Sequence, residues 1–272
     1  MKTNNLPQPR LLNYDLGPGV TVFSTTRQGG YSQGSYGEMN VNAYCGDDRA
    51  TVAKNRELLS NALGLSNTDR LVVPHQVHGT GVVYTKREEA PYDAAAFQTE
   101  MEGKDIVMTD EQELCIGVST ADCVPIVLYD PSRHCAAVVH AGWRGTAKKA
   151  VLVATSRLSA LYAGSASCMQ AVIGPCISQK NFEVGQEVYD AFCSEGFPMD
   201  RVARLMPAND GNGQKWHVDL PLCNRLLLEQ AGVGPGHIYD CGICTYDNSD
   251  RFFSARRMGI NSGRIFTGIV LH

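Results

Sequence analysis

The sequence predicts an α+β fold built as a single domain over residues 1-272. Two observations carry this. Runs rich in β-branched residues recur from Val20 to the C-terminus, and stretches at helical spacing fall between them. No repeat of fixed period and no linker interrupts the chain. With 272 residues, 43% hydrophobic and 19% charged, the chain is long and apolar enough to bury a sizeable core.

The first strand is VTVFSTT, residues 20–26, which alternates and is rich in β-branched side chains. RQGGYSQGSYGEMNVN follows as a long polar loop, a segment type that is often functional. In it Arg27, Ser32 and Asn40 are candidates to line a pocket. Asp47 or Asp48 caps a helix through TVAKNRELLSNALG, and Gly64 ends it. Asn55 and Arg56, in its middle, read as surface residues. LVVPHQVHGTGVVY, residues 71–84, reads as strand, because Pro74 and Gly79-Thr80-Gly81 oppose a helix. Strand alternation sends His75 and His78 to opposite faces, so one of them reaches any given site. His78, beside the glycines at a strand end, is the candidate. Residues 86–104 read as an acidic loop with a helical turn, and Asp105–Met108 as a short strand.

CIGVSTADCVPIVLYDPSRHCAAVVHAGWRG, residues 115–145, holds two apolar runs around a turn at Asp130–Arg133. If Tyr129 pairs with His134, then Leu128 meets Cys135, Pro125 meets Val138, and Cys123 lies opposite His140. Opposite residues share a face with Cβ atoms about 5 Å apart. A helix beginning at Thr146 and ending at Gly164 then carries Ala147, Ala150, Val151, Ala154, Leu158 and Leu161 at helical spacing. Its N-terminus places Gly142, Arg144 and Gly145 where free N–H groups favour an anion, with Arg144 as a bidentate partner. This is a candidate phosphate pocket without the P-loop pattern. MQAVIGPCI reads as strand, VGQEVYDAFCSEG as helix, Trp216–Val218 as strand, and Asp219 with Pro221 opens a further helix. The final IFTGIVL is a strand. Before it stand Arg251, Arg256, Arg257 and Arg264, a basic cluster able to complete an anion site.

A net charge of −4 with scattered lysines and arginines argues against nucleic acid and against a membrane surface as partners. The N-terminus lacks a signal-peptide core and no apolar run approaches a membrane span, so the cytoplasm is expected. Ten cysteines are not spaced as a disulfide framework and are expected as free thiols, with Cys115, Cys135 and Cys168 buried among apolar residues. Cys241 and Cys244 form a lone CxxC, read as packing.

His78, Cys123 and His140 together suit a catalytic zinc site of three protein ligands with an open position. Zinc there lowers the pKa of a bound water towards neutrality. Two rivals use the same atoms: a Cys123 thiolate nucleophile with His140 as base, and a copper site. Multicopper chemistry needs more histidine clusters than seven residues without an HxH pair supply. Asp122, next to Cys123, points away from the site in a regular strand.

TTRQGGYS…MNVNAYCGDD…NRELL, QVHGTGV, STADCVPI, VVHAGWRGT, IGPCIS…FEVG and CTYDNSDRFFSARRMG…SGR resemble, in order, the laccase-domain family. These proteins, once named polyphenol oxidases, are now read as purine nucleoside phosphorylases. The resemblance runs from about Val20 to Arg264. It implies a layered α-β sandwich with mixed sheets and the topology of a cysteine-hydrolase-like toxin domain. It implies zinc on His78, Cys123 and His140, with copper as the alternative metal. The implied reaction is phosphorolysis of adenosine, inosine, guanosine and methylthioadenosine to base and pentose 1-phosphate, with adenosine deamination beside it. Arg27, Asn40, Gly142, Gly145 and Arg257 are the candidates for phosphate and substrate, and Arg144 for catalysis. Activity on peptidoglycan precursors and copper-dependent phenol oxidation are linked to the same family. His75 departs from the polar residue usual before QVH.

Overall fold

The computed structural model describes residues 7–85, 99–208 and 211–272, so most of the acidic loop expected at 86–104 lies outside the described residues. Strands in chain order are β1 (Leu11–Tyr14), β2 (Val20–Thr25), β3 (Leu71–Val72), β4 (Val82–Tyr84), β5 (Ile106–Thr109), β6 (Cys115–Thr120) and β7 (Val124–Asp130). They continue as β8 (Cys135–Ala141), β9 (Gln170–Ile173), β10 (Glu183–Val184), β11 (Ala203–Pro207), β12 (Gln214–Val218), β13 (Ile238–Asp240) and β14 (Ile265–Leu271). A five-stranded sheet has the order β1-β2-β14-β6-β3, antiparallel except where β3 joins β6. A six-stranded sheet has the order β13-β9-β7-β8-β5-β4, with parallel pairs at both edges. The strands β10, β12 and β11 form a small antiparallel sheet. The sheets are therefore mixed, as expected.

Alternation along β7 explains the layering. Ile126 and Leu128 pack with Val151, Ala154 and Leu158 of the helix Ala150–Tyr162 and with Leu227 of the helix Leu220–Ala231. Val127 and Tyr129 face the other way, onto Ile116, Val118 and Ile269 of the five-stranded sheet. The outer face of that sheet, with Phe23 and Phe266, is covered by Leu59 of the helix Arg49–Ala62. The order is helix, sheet, sheet, helices. Both central strands are buried along their whole length, which is why their sequences read as continuous apolar runs. Each such side chain contributes about 1.5–3 kcal/mol by leaving water.

Local corrections have identifiable causes. The hairpin pairs Asp130 with Cys135 and Tyr129 with Ala136, two steps from the expected register. Asp130 stays in the strand because its Oδ1 accepts from Ser132 N at 2.9 Å and Ser132 Oγ at 2.6 Å, and His134 leaves it through a left-handed φ of 48°. His140 therefore faces Pro125. The expected helix from Thr146 is instead two: Trp143–Ala147 and Ala150–Tyr162, separated at Lys149, whose φ of 58° breaks the first. Residues 71–84 are not one strand; β3 and β4 flank a loop that carries both His75 and His78. Asn55 is buried rather than on the surface. Its Nδ2 donates to Ser32 Oγ, Glu38 O and Asn40 O, and its Oδ1 accepts from Tyr31 N, which fastens the polar loop onto the helix. Arg56 donates to Val41 O for the same end. Cys168 is exposed, not buried, while Cys115 and Cys135 are buried as expected. No helix among the described residues is long and apolar enough to cross a membrane.

Candidate metal centre

His78, Cys123 and His140 converge, with their ligand atoms all within 4.8 Å of one another. Three separate pieces of backbone bring them together. His140 is the penultimate residue of β8 and is buried at 3% exposure. Cys123 lies just before β7, on a turn where Asp122 takes a φ of 89°. Under the observed register Cys123 falls across from Gly142, so it approaches His140 diagonally along one face. That position needs glycine: a Cβ on Gly142 would meet His78 Cδ2 at 2.8 Å and Cys123 Sγ at 3.0 Å. His78 reaches the group through a left-handed backbone with φ of 61°, not through strand alternation. Its ring meets that of His140 edge-on, with centroids 4.8 Å apart.

Asp105 organises all of this, and sequence reasoning placed it only at the head of a strand. Its side chain is fully buried. Oδ1 accepts from His140 Nδ1 at 2.6 Å and from His78 N at 3.0 Å, and Oδ2 accepts from Gly79 N at 2.7 Å and Val77 N at 3.3 Å. A carboxylate only accepts, so His140 carries hydrogen on Nδ1 and leaves Nε2 for the site. Burial pushes the Asp105 carboxyl up, but the hydrogen bond and charge of His140 with the loop N–H groups outweigh it and hold it below its ordinary value. Burial likewise opposes the Cys123 thiolate, yet the charge and hydrogen bond of His140, aided by His78, bring the thiol down. Burial lowers His140 while Cys123 and Asp105 raise it more. Each of the two thus favours the charged form of the other.

A soft sulfur, two imidazoles and a glycine-made recess between them fit a zinc-type ion, which takes such donors tetrahedrally. One expected result follows for the thiols. Iodoacetamide at neutral pH, followed by peptide mass spectrometry of metal-free protein, labels Cys123 ahead of Cys115, Cys135 and Cys223, which burial pushes up. Zinc added beforehand protects Cys123. Equal labelling with and without zinc would remove Cys123 from the ligand set.

The group opens into a cleft of about 580 Å³ lined also by Tyr44, His75, Gln76, Trp143, Arg256 and Arg264. His75 reaches the cleft as well, contrary to the strand argument. It is outside the ligand group, stacked on Tyr44 at 4.1 Å with Nδ1 2.6 Å from Glu102 Oε1. Gln76 is clipped to Ser119 through both ends of its amide. Asp122 serves loop bonding, accepting from Thr245 Oγ1 at 2.6 Å and Arg256 N at 2.7 Å.

Of the other sequence candidates Gly142 borders the ligand group, and none belongs to the cleft wall itself. Arg144 is exposed and lies over its neighbour Trp143 at 4.2 Å. Arg27 donates Nε to Gly37 O and Nη1 to Ser249 O, which ties two loops together. Asn40 is buried, with Nδ2 donating to Asn42 O and Asp47 Oδ2, and Ser32 Oγ donates to the same Asp47 oxygen. Arg257 donates to Tyr246 O and covers that ring. Gly142 caps the short helix Trp143–Ala147, and Gly145 packs it onto Gly79 O, 3.2 Å from where its Cβ would stand.

A family model described as multi-copper polyphenol oxidoreductase laccase matches residues 21–272. The chain belongs to this family. Within it, the chain is similar to a protein of Bacteroides thetaiotaomicron named purine nucleoside phosphorylase, 40% identical over 93% of this chain and 92% of that one. It is similar, at 41% identity over 92% of this chain and 94% of the other, to adenosine deaminase RL5 from an unknown prokaryotic organism. The crystal structure of YlmD from Geobacillus stearothermophilus superposes with a TM-score of 0.84 at 30% identity, covering 94% of this chain and 93% of that one.

Proposed function

We propose that this member of the laccase family is a zinc-dependent purine nucleoside phosphorylase. It takes adenosine, inosine, guanosine or methylthioadenosine with phosphate to the base and a pentose 1-phosphate, and it deaminates adenosine as a second activity. The observation that carries the reading is the single cleft holding the His78–Cys123–His140 group, in a chain matched almost end to end by relatives named for these two reactions. The reading takes 1-272 as one domain, since the cleft wall draws on residues from Asn42 to Arg264. Ten free thiols suit the reducing cytoplasm.

The chain's own residues divide the work. His78, Cys123 and His140 would hold zinc, and Asp105 keeps the His140 lone pair on Nε2. Zinc, when bound, supplies Lewis-acid activation of water for deamination. Tyr44, backed by His75, offers an aromatic wall against which a purine stacks. Gln76 and Trp143 border the same space. In phosphorolysis a phosphate oxygen attacks C1′ as the purine nitrogen leaves with the bonding pair.

A second reading rests on the depressed Cys123 thiol beside His140. It makes Cys123 a nucleophile on an amide, in the manner of the cysteine-hydrolase topology that the resemblance implies. One assay separates the two. Adenosine incubated with phosphate is expected to give adenine and ribose 1-phosphate, and inosine when phosphate is absent, with deamination falling after chelation. No turnover of any of the four nucleosides in phosphate would reject the phosphorylase. Amide hydrolysis that survives chelation and dies on alkylation would favour the thiolate.

A further inference from the structure

Of the four arginines in the C-terminal basic cluster, two line the cleft: Arg256 and Arg264. We propose that these two guanidinium groups form its phosphate-binding subsite, in place of the glycines at the start of the helix Trp143–Ala147. The proposal rests on the phosphorylase reading and gives its second substrate a place.

Arg264 is held by backbone carbonyls: Nη1 donates to Ser262 O and Gly263 O, and Nη2 donates to Ile260 O at 2.9 Å. A guanidinium has five N–H groups, so Nε–H and one Nη2–H remain. Arg256 donates Nη1 to Asn181 O at 3.3 Å and lies over the Phe182 ring at 5.5 Å, leaving most of its fork unused. Neither has a carboxylate within ion-pair distance among the described residues. Asp122, an acidic residue in the cleft wall, has its oxygens turned to Thr245 Oγ1 and to the backbone N of Arg256. Two positive charges on one cleft, neither in an ion pair with a carboxylate, favour an anion beside them.

Arg256 is tied to the ligand group by its backbone, because its N–H bonds the residue preceding Cys123. Arg264 N donates to Asn40 Oδ1 at 3.2 Å, and this joins it to the loop that supplies Asn42 and Tyr44 to the cleft. Arg264 is thus anchored by main chain and guanidinium alike, while Arg256 is exposed and fixed mainly by its backbone, with its fork resting on Phe182 and Asn181 O. Planar forks of this kind match phosphate oxygens two at a time. By contrast Arg27 and Arg257, also candidates from the sequence, have their guanidinium groups on loop carbonyls away from the cleft wall.

The test is calorimetric titration of the zinc-loaded protein with inorganic phosphate, for wild type, Arg256→Gln and Arg264→Lys, with steady-state assays beside it. Arg264→Lys keeps the charge and guards against losing the loop that the guanidinium braces. We expect phosphate affinity to fall about 10- to 100-fold in Arg256→Gln, the size of a lost charged hydrogen bond. In the assays KM for phosphate rises while KM for adenosine moves little, and the ratio of phosphorolysis to deamination drops. Arg264→Lys shows the same split to a smaller degree, with zinc content equal to wild type. Unchanged phosphate affinity in both variants overturns the subsite, as does an equal loss of phosphorolysis and deamination. A wild type that binds phosphate but releases no pentose 1-phosphate rejects the phosphorylase reading alone, since the titration still reports on the two arginines.

Discussion

Cys123→Ala is expected to release the metal and to lower both phosphorolysis and deamination by at least about 100-fold, the upper end of what loss of an outer-shell partner costs a metal site. The reason is geometric. Cys123 is the thiol among three ligand atoms gathered within 4.8 Å, and no other Cys, His, Asp or Glu joins the group among the described residues. Removing it leaves two imidazoles, too few to hold zinc in a site with an open position. The fold should persist. His140 keeps its bond to Asp105, and the alanine occupies less space on a turn already shaped by Asp122. Metal content by mass spectrometry, thermal melting and the two assays together check this. Full phosphorolysis in metal-free Cys123→Ala would sink the zinc proposal, and with it any role for the sulfur as a nucleophile in that reaction. Loss of activity with zinc retained would instead favour the nucleophilic thiolate.

Much of this centre was legible in the sequence, for reasons that differ from residue to residue. Cys123 and His140 were legible because side-chain faces repeat every two residues. The hairpin register moved by two, which kept both on one face and changed only which residue sits directly across. The strands β7 and β8 were legible as continuous apolar runs because both of their faces are buried, while the layering was implied by the family resemblance. His78 was identified on a parity argument that does not apply, because its backbone is left-handed and belongs to a loop. Asp105 was hidden. Nothing local distinguishes a buried carboxylate before Ile106-Val107-Met108 from a solvated strand start, and its four bonds come from residues 26 to 35 positions away. The signal that could have found it is chemical: a ligand imidazole needs a partner on its other nitrogen. The arginines were harder still. Arg256 and Arg257 are neighbours, and only the turn fixed by Ser254 and Asp122 decides which one borders the cleft.

Asp105→Asn should fold, yet bind zinc about 10- to 100-fold more weakly, while Asp105→Ala should also lose about 3–5 kcal/mol of stability. The carboxylate accepts four hydrogen bonds, two on each oxygen, and an amide accepts on one side only. If the substituted amide turns its oxygen to Val77 and Gly79, its NH₂ faces His140 Nδ1. The imidazole then favours its hydrogen on Nε2, where the metal lone pair is needed, and has to give up the bond to the amide before it can act as a ligand. If the amide turns the other way, its NH₂ meets the N–H groups of Val77 and Gly79, and the loop that delivers His78 loosens. Either orientation weakens the hold of one histidine on the metal while leaving its ring in the group. Alanine does worse, because it leaves a buried imidazole and three backbone N–H groups without the partner they share. Competition with a chromogenic zinc chelator measures the first effect, and denaturant melts in the metal-free state measure the second. Wild-type zinc affinity in Asp105→Asn would show that the His140 tautomer is set by something other than this carboxylate. Wild-type stability in Asp105→Ala would show that the 77–79 loop finds its partners elsewhere.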